Sequence, residues 1–310
     1  MRNFQKIYIE ITNVCHLSCN FCPETVRKPK FMEVNLFKKA LTQIKDFSQT
    51  VYFHVKGEPL LHPQIDTLLE LCHEQGIRAN ITTSGVLIKK VKPKLFSKPA
   101  LRQMNFSLHS FQANPMNITL DEYLNEIFSF ITEMRANPKF IACFRLWNLN
   151  PNNLEPYSEK SEKKSSNHSI LEKIENYFNL PYKIEKLPVR GNGIKVMDHI
   201  YINGDYSFEW PKINMPDLDT EGFCLGLRTQ AGILVDGTVI PCCLDGEGVI
   251  HLGNINQSSF KEIIEGKRAA DLYNGFSQRK IIEPLCKKCS FRKRFDKNNP
   301  VTKKNVVTHS

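Results

Sequence analysis

Three cysteines lie close together near the start of the chain, at Cys15, Cys19 and Cys22, with the spacing Cys-x3-Cys-x2-Cys. They follow a short apolar run at 7–11 that is typical of a strand. Three thiolates at this spacing suit one metal centre. A four-iron cluster normally takes four cysteines, so a loop that supplies only three leaves one iron open to a small molecule. We expect chemistry at that open iron.

A zinc knuckle or a set of buried thiols is the alternative for these cysteines. A structural zinc site needs a fourth nearby ligand. The histidine in this stretch, His16, is out of step with the three cysteines. The cluster is therefore the favoured prediction.

The three cysteines, with the aromatic Phe21 directly before Cys22, resemble the cluster loop of the radical S-adenosylmethionine (radical SAM) superfamily. The resemblance implies a [4Fe-4S] cluster on Cys15, Cys19 and Cys22, whose open iron binds the amino and carboxylate groups of S-adenosylmethionine (SAM). It also implies the reaction of that superfamily. An electron from the cluster splits SAM into methionine and a 5'-deoxyadenosyl radical, which abstracts a hydrogen atom from the substrate.

Up to residue 190, strand-like and helical patterns alternate along the chain. Strands are predicted at 7–11, 50–56, 77–82, 101–108, 140–149 and 182–189, and helices at 34–47, 65–75, 87–97, 120–135 and 170–178. This alternation predicts a parallel sheet with right-handed crossovers, which forms part of a barrel or an open sheet. The resemblance to radical SAM enzymes implies the first of these, an α/β fold with a partial (β/α)6 TIM-like barrel.

In either form of the sheet, ligands bind at the carboxyl ends of the strands. Gly57-Glu58-Pro59 follows the second predicted strand, Ser84 follows the third, and Ser107 ends the fourth. In radical SAM enzymes a Gly-Gly-Glu-Pro segment after the second strand binds the methionine amino group of SAM, and here Lys56 stands in place of the first glycine. Gly-Glu-Pro alone is also an ordinary turn, so its position after the second strand makes it informative.

The resemblance implies further cofactor contacts along the same edge. Arg145 alternates with apolar neighbours in the fifth predicted strand, and a buried arginine requires a partner. A carboxylate of the cofactor is one candidate partner, and a structural salt bridge or a solvent-facing arginine is the alternative. The expected cofactor-binding residues are Phe21, Gly57, Glu58, Pro59, Ser84, Ser107, Arg145 and Val189. No residue is predicted as a general base.

The last third of the chain carries a second group of cysteines. Two alternating runs flank Asp236-Gly237, which is a strong signal for a β-hairpin. Cys224 precedes the hairpin, Cys242 follows it, and Cys286 and Cys289 form a Cys-x2-Cys pair further along. Four thiols complete the coordination of one centre, either an iron–sulfur cluster or a zinc site of the ribbon type.

This group resembles the auxiliary-cluster domain of SPASM/twitch radical SAM enzymes. Full SPASM domains carry further cysteines after the Cys-x2-Cys pair and hold two extra clusters, whereas this sequence has none after Cys289. The resemblance therefore implies the shorter, twitch-like form with one auxiliary [4Fe-4S] cluster. Cys242 is the expected fourth ligand, with Cys243 as the alternative. Cys72 and Cys143 are interpreted as ordinary small apolar residues.

Composition and charge limit the remaining choices. The start of the chain lacks the features of a signal peptide, and no apolar run approaches the ~20 residues that cross a bilayer. We therefore expect a cytoplasmic protein without a membrane partner, in which cysteines more often bind metal than form disulfides. From residue 287 to the end, eight basic residues and one acidic residue account for +7 of the formal net charge of +10. We interpret this tail as a solvated end and not as a nucleic-acid surface.

These patterns predict three parts: a radical SAM partial barrel at 1–190, a SPASM/twitch-like domain at 191–290 and a flexible basic tail at 291–310. The leading hypothesis is a radical SAM oxidoreductase or maturase-type enzyme that modifies a peptide or protein and is reduced by a flavodoxin- or ferredoxin-type partner. A small-molecule substrate is the alternative within the family. A zinc- or cluster-binding adaptor that contacts RNA is disfavoured, because the tail offers only Phe291 and Phe295 as stacking platforms.

Overall fold

The chain forms two compact units, as seen in a computed structural model that describes residues 3–149, 166–187, 193–206 and 208–295. Of these residues, the first unit contains 3–82, 97–102 and 208–295, and the second contains 83–96, 103–149, 166–187 and 193–206. The C-terminal third groups with the N-terminal strands in the first unit. The expected division into domains at 1–190 and 191–290 stays a prediction.

Strands and helices alternate through most of the chain. The strands are β1 (Lys6–Ile9), β2 (Thr50–Tyr52), β3 (Arg78–Thr83), β4 (Leu101–Ser107), β5 (Ile141–Leu149), β6 (Gly193–Met197), β7 (Ile200–Tyr206), β8 (Gln230–Ile233), β9 (Thr238–Ile240) and β10 (Gly253–Asn254). The α-helices are α1 (Val34–Ile44), α2 (Ile65–Glu74), α3 (Ile88–Leu95), α4 (His109–Gln112), α5 (Leu120–Met134), α6 (Ser166–Tyr177), α7 (Phe260–Glu265), α8 (Lys267–Ser277) and α9 (Pro284–Lys287). Short 3₁₀ turns lie at Pro59–Leu61, Ile184–Lys186 and Ser290–Phe295.

The sheet of the first unit has the strand order β10-β9-β8-β1-β2-β3. β1 runs parallel to β2 on one side and to β8 on the other. β9 pairs with both β8 and β10 and is antiparallel to each of them. Helix α1 forms because its apolar residues recur at helical spacing, and Phe37 and Leu41 are fully buried. The Phe37 ring packs edge-on against Phe53, just after β2, with centroids 5.4 Å apart. The pairing of β8 with β1 was not predicted.

The sheet of the second unit has the strand order β4-β5-β7-β6, in which β4, β5 and β7 are parallel and β6 is antiparallel to β7. Helix α5 begins at a capping box. Thr119 Oγ1 accepts a hydrogen bond from the Glu122 N–H at 3.2 Å, and the Glu122 carboxylate accepts one from the Thr119 N–H at 2.7 Å. The helix packs on the sheet, where the Phe128 ring lies 5.7 Å from Phe144 of β5.

The sixth parallel strand is not where the sequence predicted it. Residues 182–187 contain a 3₁₀ turn at Ile184–Lys186, and the rest of the predicted strand, including Val189, lies outside the described residues. The N–H of Ile184 donates to the buried carboxylate of Glu175 at 2.7 Å, so this backbone donor of the turn has an acceptor other than a neighbouring strand. β7 takes the sixth place beside β5, because its alternating Ile200 and Ile202 are both fully buried.

The other predicted elements are mostly confirmed within a few residues. The hairpin at Asp236-Gly237 connects β8 and β9, and Gly237 adopts a positive φ of 90° that favours glycine. Helices α7 and α8 follow one another but are separate, because Gly266 between them is extended, with φ −63° and ψ 162°. Among the described residues, no helix has the length and hydropathy needed to cross a membrane.

Candidate cluster and cofactor sites

The cysteine loop leaves the carboxyl end of β1 and is closed at its base by two polar side chains. Asn13 Nδ2 donates to the carbonyl of Lys28 at 2.9 Å, and Asn13 Oδ1 accepts from the N–H of Lys30 at 2.7 Å. Thr12 Oγ1 donates to the carbonyl of Lys30 at 2.9 Å. These bonds join the two ends of the loop, so the cysteines project from a fixed base.

The three cysteines of this loop lie near the surface, and none of them is in a disulfide. Cys15 and Cys22 are exposed, Cys19 is half-buried, and the N–H of Cys22 donates to the carbonyl of Cys19 at 3.0 Å. Desolvation around its sulfur raises the pKa of the Cys15 thiol to about 11, an N–H from Leu17 opposes this, and the negative charges of Glu58, Cys19 and Cys22 add to it. Thiolates that repel one another in this way are stabilised by a metal centre, which requires them deprotonated.

Gly57-Glu58-Pro59 lies against the start of the cysteine loop. Gly57 has a positive φ of 75°, and a Cβ atom there would overlap the Thr12 carbonyl oxygen and lie 2.9 Å from the Asn13 carbonyl carbon. The N–H of Glu58 donates to the carbonyl of Val14 at 2.8 Å. Glycine at position 57 therefore permits the close approach of the two loops.

The side chains of this segment are buried and ordered. Glu58 is 3% exposed, and its Oε1 accepts a hydrogen bond from the N–H of Leu60 at 3.1 Å, which begins the 3₁₀ turn at Pro59–Leu61. The negative charge of Glu58 acts on the Cys15 thiol, as its effect on that pKa shows. The structure thus brings the predicted segment after β2 to the predicted cysteine loop.

Lys56, at the position of the first glycine in the family segment, is turned beside the exit of the cysteine loop. It is buried, and its Nζ donates to the carbonyl of Pro23, the residue after Cys22. The ammonium group lies 4.9 Å from the centroid of the Trp210 ring. The long side chain at this position therefore has partners of its own.

A buried acidic residue that sequence analysis did not single out joins these parts. Glu10, just after β1, is fully buried and receives two hydrogen bonds from the Arg27 guanidinium, at 2.6 and 2.7 Å. Its oxygens also accept from the N–H groups of Lys56 and Val235, each at 3.1 Å. The signal for it was an acidic residue between Ile9 and Ile11 in an otherwise apolar run.

In the second unit, two predicted cofactor residues, Ser107 and Arg145, lie in one row of the sheet with a third polar residue, Asn203. Ser107 of β4 is in register with Arg145 of β5, which is in register with Asn203 of β7. The Arg145 guanidinium lies 4.8 Å from the Trp147 ring, and no ion pair of Arg145 is found in the described part of the chain. The indole N–H of Trp147 donates to Asn203 Oδ1 at 2.6 Å, which fixes the ring under the cation.

The remaining predicted cofactor residues have different surroundings. Ser84 is buried, and its carbonyl accepts a hydrogen bond from the Tyr123 hydroxyl at 2.5 Å. Phe21 is 38% exposed on the cysteine loop. Val189 lies outside the described residues. Whether these residues contact a cofactor stays a prediction.

The four predicted auxiliary cysteines line one recess of the first unit. Cys224 lies before β8, Cys242 after β9, Cys286 in α9 and Cys289 just beyond it. Cys243 is not among the residues that line the recess. It packs instead on an apolar cluster of four residues, Tyr8, Val55, Leu234 and Ile240. The structure thus separates the two adjacent cysteines that the sequence left as alternatives.

Burial and mutual charge dominate the electrostatics of this recess. Burial raises the pKa of the Cys224 thiol, raises that of Cys289 to about 11, and raises those of Cys242 and Cys286 well above the ordinary value. The negative charges of the neighbouring cysteines add to the shifts of Cys242, Cys286 and Cys289. Cys72 and Cys143 are buried elsewhere, as small apolar residues would be.

Polar contacts order the chain around this recess. The Asp245 carboxylate accepts hydrogen bonds from the N–H groups of Val249 and Ile250, both at 2.8 Å, and shapes the loop after Cys242. Burial raises the pKa of Asp245 to about 6, and those two N–H groups oppose the shift. Arg292 is 1% exposed and pairs with Asp219 at 3.0 Å, which places a cation in the wall of the recess.

The donor sets fit iron–sulfur clusters. The loop supplies three accessible thiols, and the recess supplies four. Among the described residues, no three Cys, His, Asp or Glu side chains are placed to share a single metal ion. A four-iron cluster does not require such an arrangement, because each cysteine binds a different iron.

Comparison with known families decides between the possible classes. The Radical SAM superfamily matches residues 9–135, which include the cysteine loop, and the SPASM iron-sulfur cluster-binding domain matches residues 224–290, which include the recess cysteines. The chain is a radical SAM protein. Members of this superfamily are enzymes that bind SAM and a [4Fe-4S] cluster, and SPASM domains bind auxiliary iron–sulfur clusters. The predicted family is therefore confirmed.

Curated relatives match this radical SAM protein over part of their length. S-adenosyl-L-methionine-dependent 2-deoxy-scyllo-inosamine dehydrogenase of Niallia circulans is 27% identical over 114 residues, which is 34% of this chain and 46% of the relative. The chain spans less than half the length of the curated relatives that it matches.

Solved structures match nearly the whole radical SAM chain. BtrN in complex with AdoMet and 2-DOIA has a TM-score of 0.53 and 19% identity over 94% of both chains. Streptococcus suis SuiB bound to the precursor peptide SuiA has a TM-score of 0.57 and 16% identity over 94% of this chain and 71% of that chain. These likenesses concern the fold, and with the family match they confirm the expected partial (β/α)6 barrel with an auxiliary domain.

Proposed function

We propose that this chain holds a reducing [4Fe-4S] cluster on Cys15, Cys19 and Cys22 and modifies its substrate by hydrogen abstraction. Bound together, the cluster and SAM supply the 5'-deoxyadenosyl radical that removes the hydrogen atom. The observation that carries this proposal is the contact of the two loops at the carboxyl ends of β1 and β2. There the N–H of Glu58 donates to Val14, directly before the first cysteine.

The residues of the chain would bind and orient the cofactor. Gly57, Glu58 and Pro59 would bind the methionine amino group, as the corresponding family segment does. In the second unit, Arg145 would bind an anionic carboxylate, because its cation is stacked on Trp147 and no described carboxylate pairs with it. Ser84, Ser107, Phe21 and Val189 are proposed as the remaining cofactor contacts.

We assign the auxiliary [4Fe-4S] cluster to Cys224, Cys242, Cys286 and Cys289. Their shared recess supports this set, and so does the separate packing of Cys243. The lining of this recess is mostly apolar, with Leu244, Ile250 and Leu285 among its residues. Such surroundings limit solvent access to a cluster.

The leading candidate for the substrate is a peptide or protein. SuiB, which has the same fold, is bound to a precursor peptide in its structure. A small molecule is the second candidate, because BtrN, bound to 2-DOIA, matches this chain over 94% of both lengths. A flavodoxin- or ferredoxin-type protein is the proposed reductant.

Anaerobic reconstitution with iron and sulfide tests the assignment. We expect about eight irons per chain for two four-iron clusters, and formation of 5'-deoxyadenosine after addition of SAM and dithionite. Replacement of Cys15, Cys19 and Cys22 by Ala should remove about four irons and all deoxyadenosine. Deoxyadenosine formation without the three cysteines would contradict the proposal. About four irons with one zinc would replace the auxiliary cluster by a zinc site.

Deuterium transfer separates the two substrate classes. Because hydrogen abstraction moves one hydrogen from the substrate to the 5' carbon, a deuterated substrate yields deuterated deoxyadenosine. Extracts of cells grown on deuterated medium would be split into a peptide and a small-molecule fraction and offered separately. Label from the peptide fraction supports the leading candidate, and label only from the small-molecule fraction overturns it.

A further inference from the structure

Lys56 lies beside the last cysteine of the loop and is enclosed by contacts along its whole side chain. Its side chain crosses Gly246, where a Cβ atom would lie 2.7 Å from Lys56 Cε. On reaching the loop, its Nζ donates to the carbonyl of Pro23 and its charge faces the Trp210 ring. Gly246 and Trp210 both come from the C-terminal third of the chain. The lysine is thus enclosed by parts that are far apart in sequence.

The residues that follow Cys22 are also held by the segment that contains Gly246. Glu247, next to Gly246, accepts hydrogen bonds from Thr25 Oγ1 and the Val26 N–H, both at 3.2 Å. The next residue, Arg27, forms its ion pair with Glu10. Contacts at Pro23, Thr25 and Val26 therefore tie the exit of the cysteine loop to Lys56 and to the loop after β9.

The charge of Lys56 acts on the cysteine itself. Burial lowers the pKa of the Lys56 ammonium, the negative charges of Cys22, Glu247 and Glu10 oppose that shift, and the positive charge of Arg27 adds to it. A cluster gains one negative charge when it is reduced, so a cation beside it stabilises the reduced form. Net charge and hydrogen bonding near the sulfurs are among the factors that set cluster potentials.

We propose that Lys56 is a positioning residue for the reducing cluster, which fixes Pro23 next to Cys22 and raises the reduction potential of that cluster through its positive charge. The inference rests on the proposed cluster site. It explains why a lysine at position 56 can replace the first glycine of the family segment. It also makes the segment around Trp210, Gly246 and Glu247 a support of the reducing site.

Three substitutions separate charge from packing. Lys56→Met keeps the apolar stem and removes the charge, Lys56→Arg keeps both, and Lys56→Gly removes both. Lys6→Met is the matched control, because Lys6 lies at the opposite end of β1 with its ammonium 5.9 Å from the Tyr52 ring. That control removes one positive charge and one ring contact away from the cysteine loop.

The first measurement is the midpoint potential of the reconstituted protein by paramagnetic resonance, using the signal that changes when SAM is added. We expect Lys56→Met and Lys56→Gly to disfavour reduction about tenfold, a shift of about 59 mV to more negative potential for a one-electron couple. Lys56→Arg and Lys6→Met should stay near the wild-type potential. Equal potentials in all variants would overturn the charge effect.

The second measurement needs no cluster. The chain has two tryptophans, Trp147 and Trp210, so Trp147→Phe leaves Trp210 as the only indole fluorophore. In that background, Lys56→Gly should increase acrylamide quenching of Trp210, whereas Lys56→Met should not. Unchanged quenching in Lys56→Gly would overturn the packing. Absence of SAM cleavage in the wild type would refute the proposed function while leaving this contact intact, so the two failures are distinguishable.

Discussion

Arg27 and Glu10 form a two-pronged ion pair in which both guanidinium Nη atoms lie within 2.7 Å of the carboxylate oxygens. Glu10 is fully buried at the end of β1, and Arg27 lies on the chain that returns from the cysteine loop. The same carboxylate accepts the N–H groups of Lys56 and Val235. One acidic side chain therefore joins the strand, the returning loop, the segment after β2 and the C-terminal hairpin.

Loss of this carboxylate should be severe. Glu10→Ala leaves the Arg27 cation and two buried N–H groups without their acceptor, so we expect the free energy of unfolding to fall by about 3–5 kcal/mol. Chemical denaturation followed by circular dichroism measures this. Asp121→Ala, which breaks an exposed ion pair with Lys173, is the control and should change stability little. Equal effects of the two substitutions would contradict the role of Glu10.

Gly57 and Gly76 provide a matched pair for the contact between the loops. Both have positive φ, 75° and 67°, but a Cβ atom at Gly76 meets nothing within 4 Å. Gly76→Ala should therefore cost only the left-handed conformation, roughly 1–2 kcal/mol. Gly57→Ala also forces the loop after β2 away from Thr12, so we expect it to weaken SAM binding as well. Equilibrium dialysis with labelled SAM on the reconstituted protein compares them, and equal SAM affinity would refute the steric argument.

The two adjacent cysteines after β9 should differ in iron content. Cys242→Ala removes a thiol from the recess, so we expect reconstituted protein to lose the auxiliary cluster, about four irons per chain. Cys243→Ala changes only an apolar contact with Tyr8 and Ile240 and should keep the full iron content. Iron and sulfide analysis distinguishes the variants. The reverse result would move the ligand to Cys243.

Arg145 should matter for SAM binding more than for folding. Arg145→Met removes the cation beside Trp147, and we expect the SAM dissociation constant to rise about tenfold or more, since hydrogen bonds to charged groups contribute about 1.5–3 kcal/mol. Arg135→Met, at an exposed position after α5, is the control. Unchanged SAM affinity of Arg145→Met would refute the proposed carboxylate contact.

His109 should make the second unit sensitive to acid. Burial lowers the pKa of this histidine to about 4, with the Arg145 charge also lowering it and a hydrogen bond to the Arg145 carbonyl opposing. Because the unfolded chain binds the proton near its ordinary pKa of about 6.5, stability is retained above that pH and lost as the pH falls towards 4. The loss should reach about 3 kcal/mol.

Hydrogen exchange of the β5 amides at several pH values measures this effect. His109→Gln should weaken the pH dependence between about 6.5 and 4, because the titrating group is gone. The same pH dependence in the variant would show that other groups cause it.

The parts of the fold and of the site whose signals are local were predictable from the sequence. The spacing of the cysteines, the Gly57-Glu58-Pro59 segment and the periodicity of α1 and α5 are all contained within short windows. The pairing of strands that are far apart in sequence could not be predicted in this way. The runs at 182–187 and 200–206 both carry alternating apolar residues, and which of them pairs with β5 depends on the burial of Ile200 and Ile202 in the folded sheet.

The choice between Cys242 and Cys243 illustrates the same limit at the site. Neighbouring residues at the end of a strand point to opposite sides, so the sequence offers both cysteines with equal chemistry. The pairing of β9 with β8 decides which side faces the recess. Glu10 and Lys56 carried visible signals, an acidic residue in an apolar run and a lysine in place of a glycine. Their partners Val235 and Trp210 lie too far away in sequence to be read from those signals.

The parallel pairing of β1 with β8 bears on the order in which the protein matures. β1 and the cysteine loop are synthesised well before Gln230–Ile233, which pair with β1, and before Val235, which binds Glu10. Until then, one edge of β1 and one side of its buried carboxylate have no partner from the hairpin. The platform under Cys15, Cys19 and Cys22 is therefore completed only after residue 235 has emerged, so we expect stable insertion of the proposed cluster to follow synthesis of the hairpin.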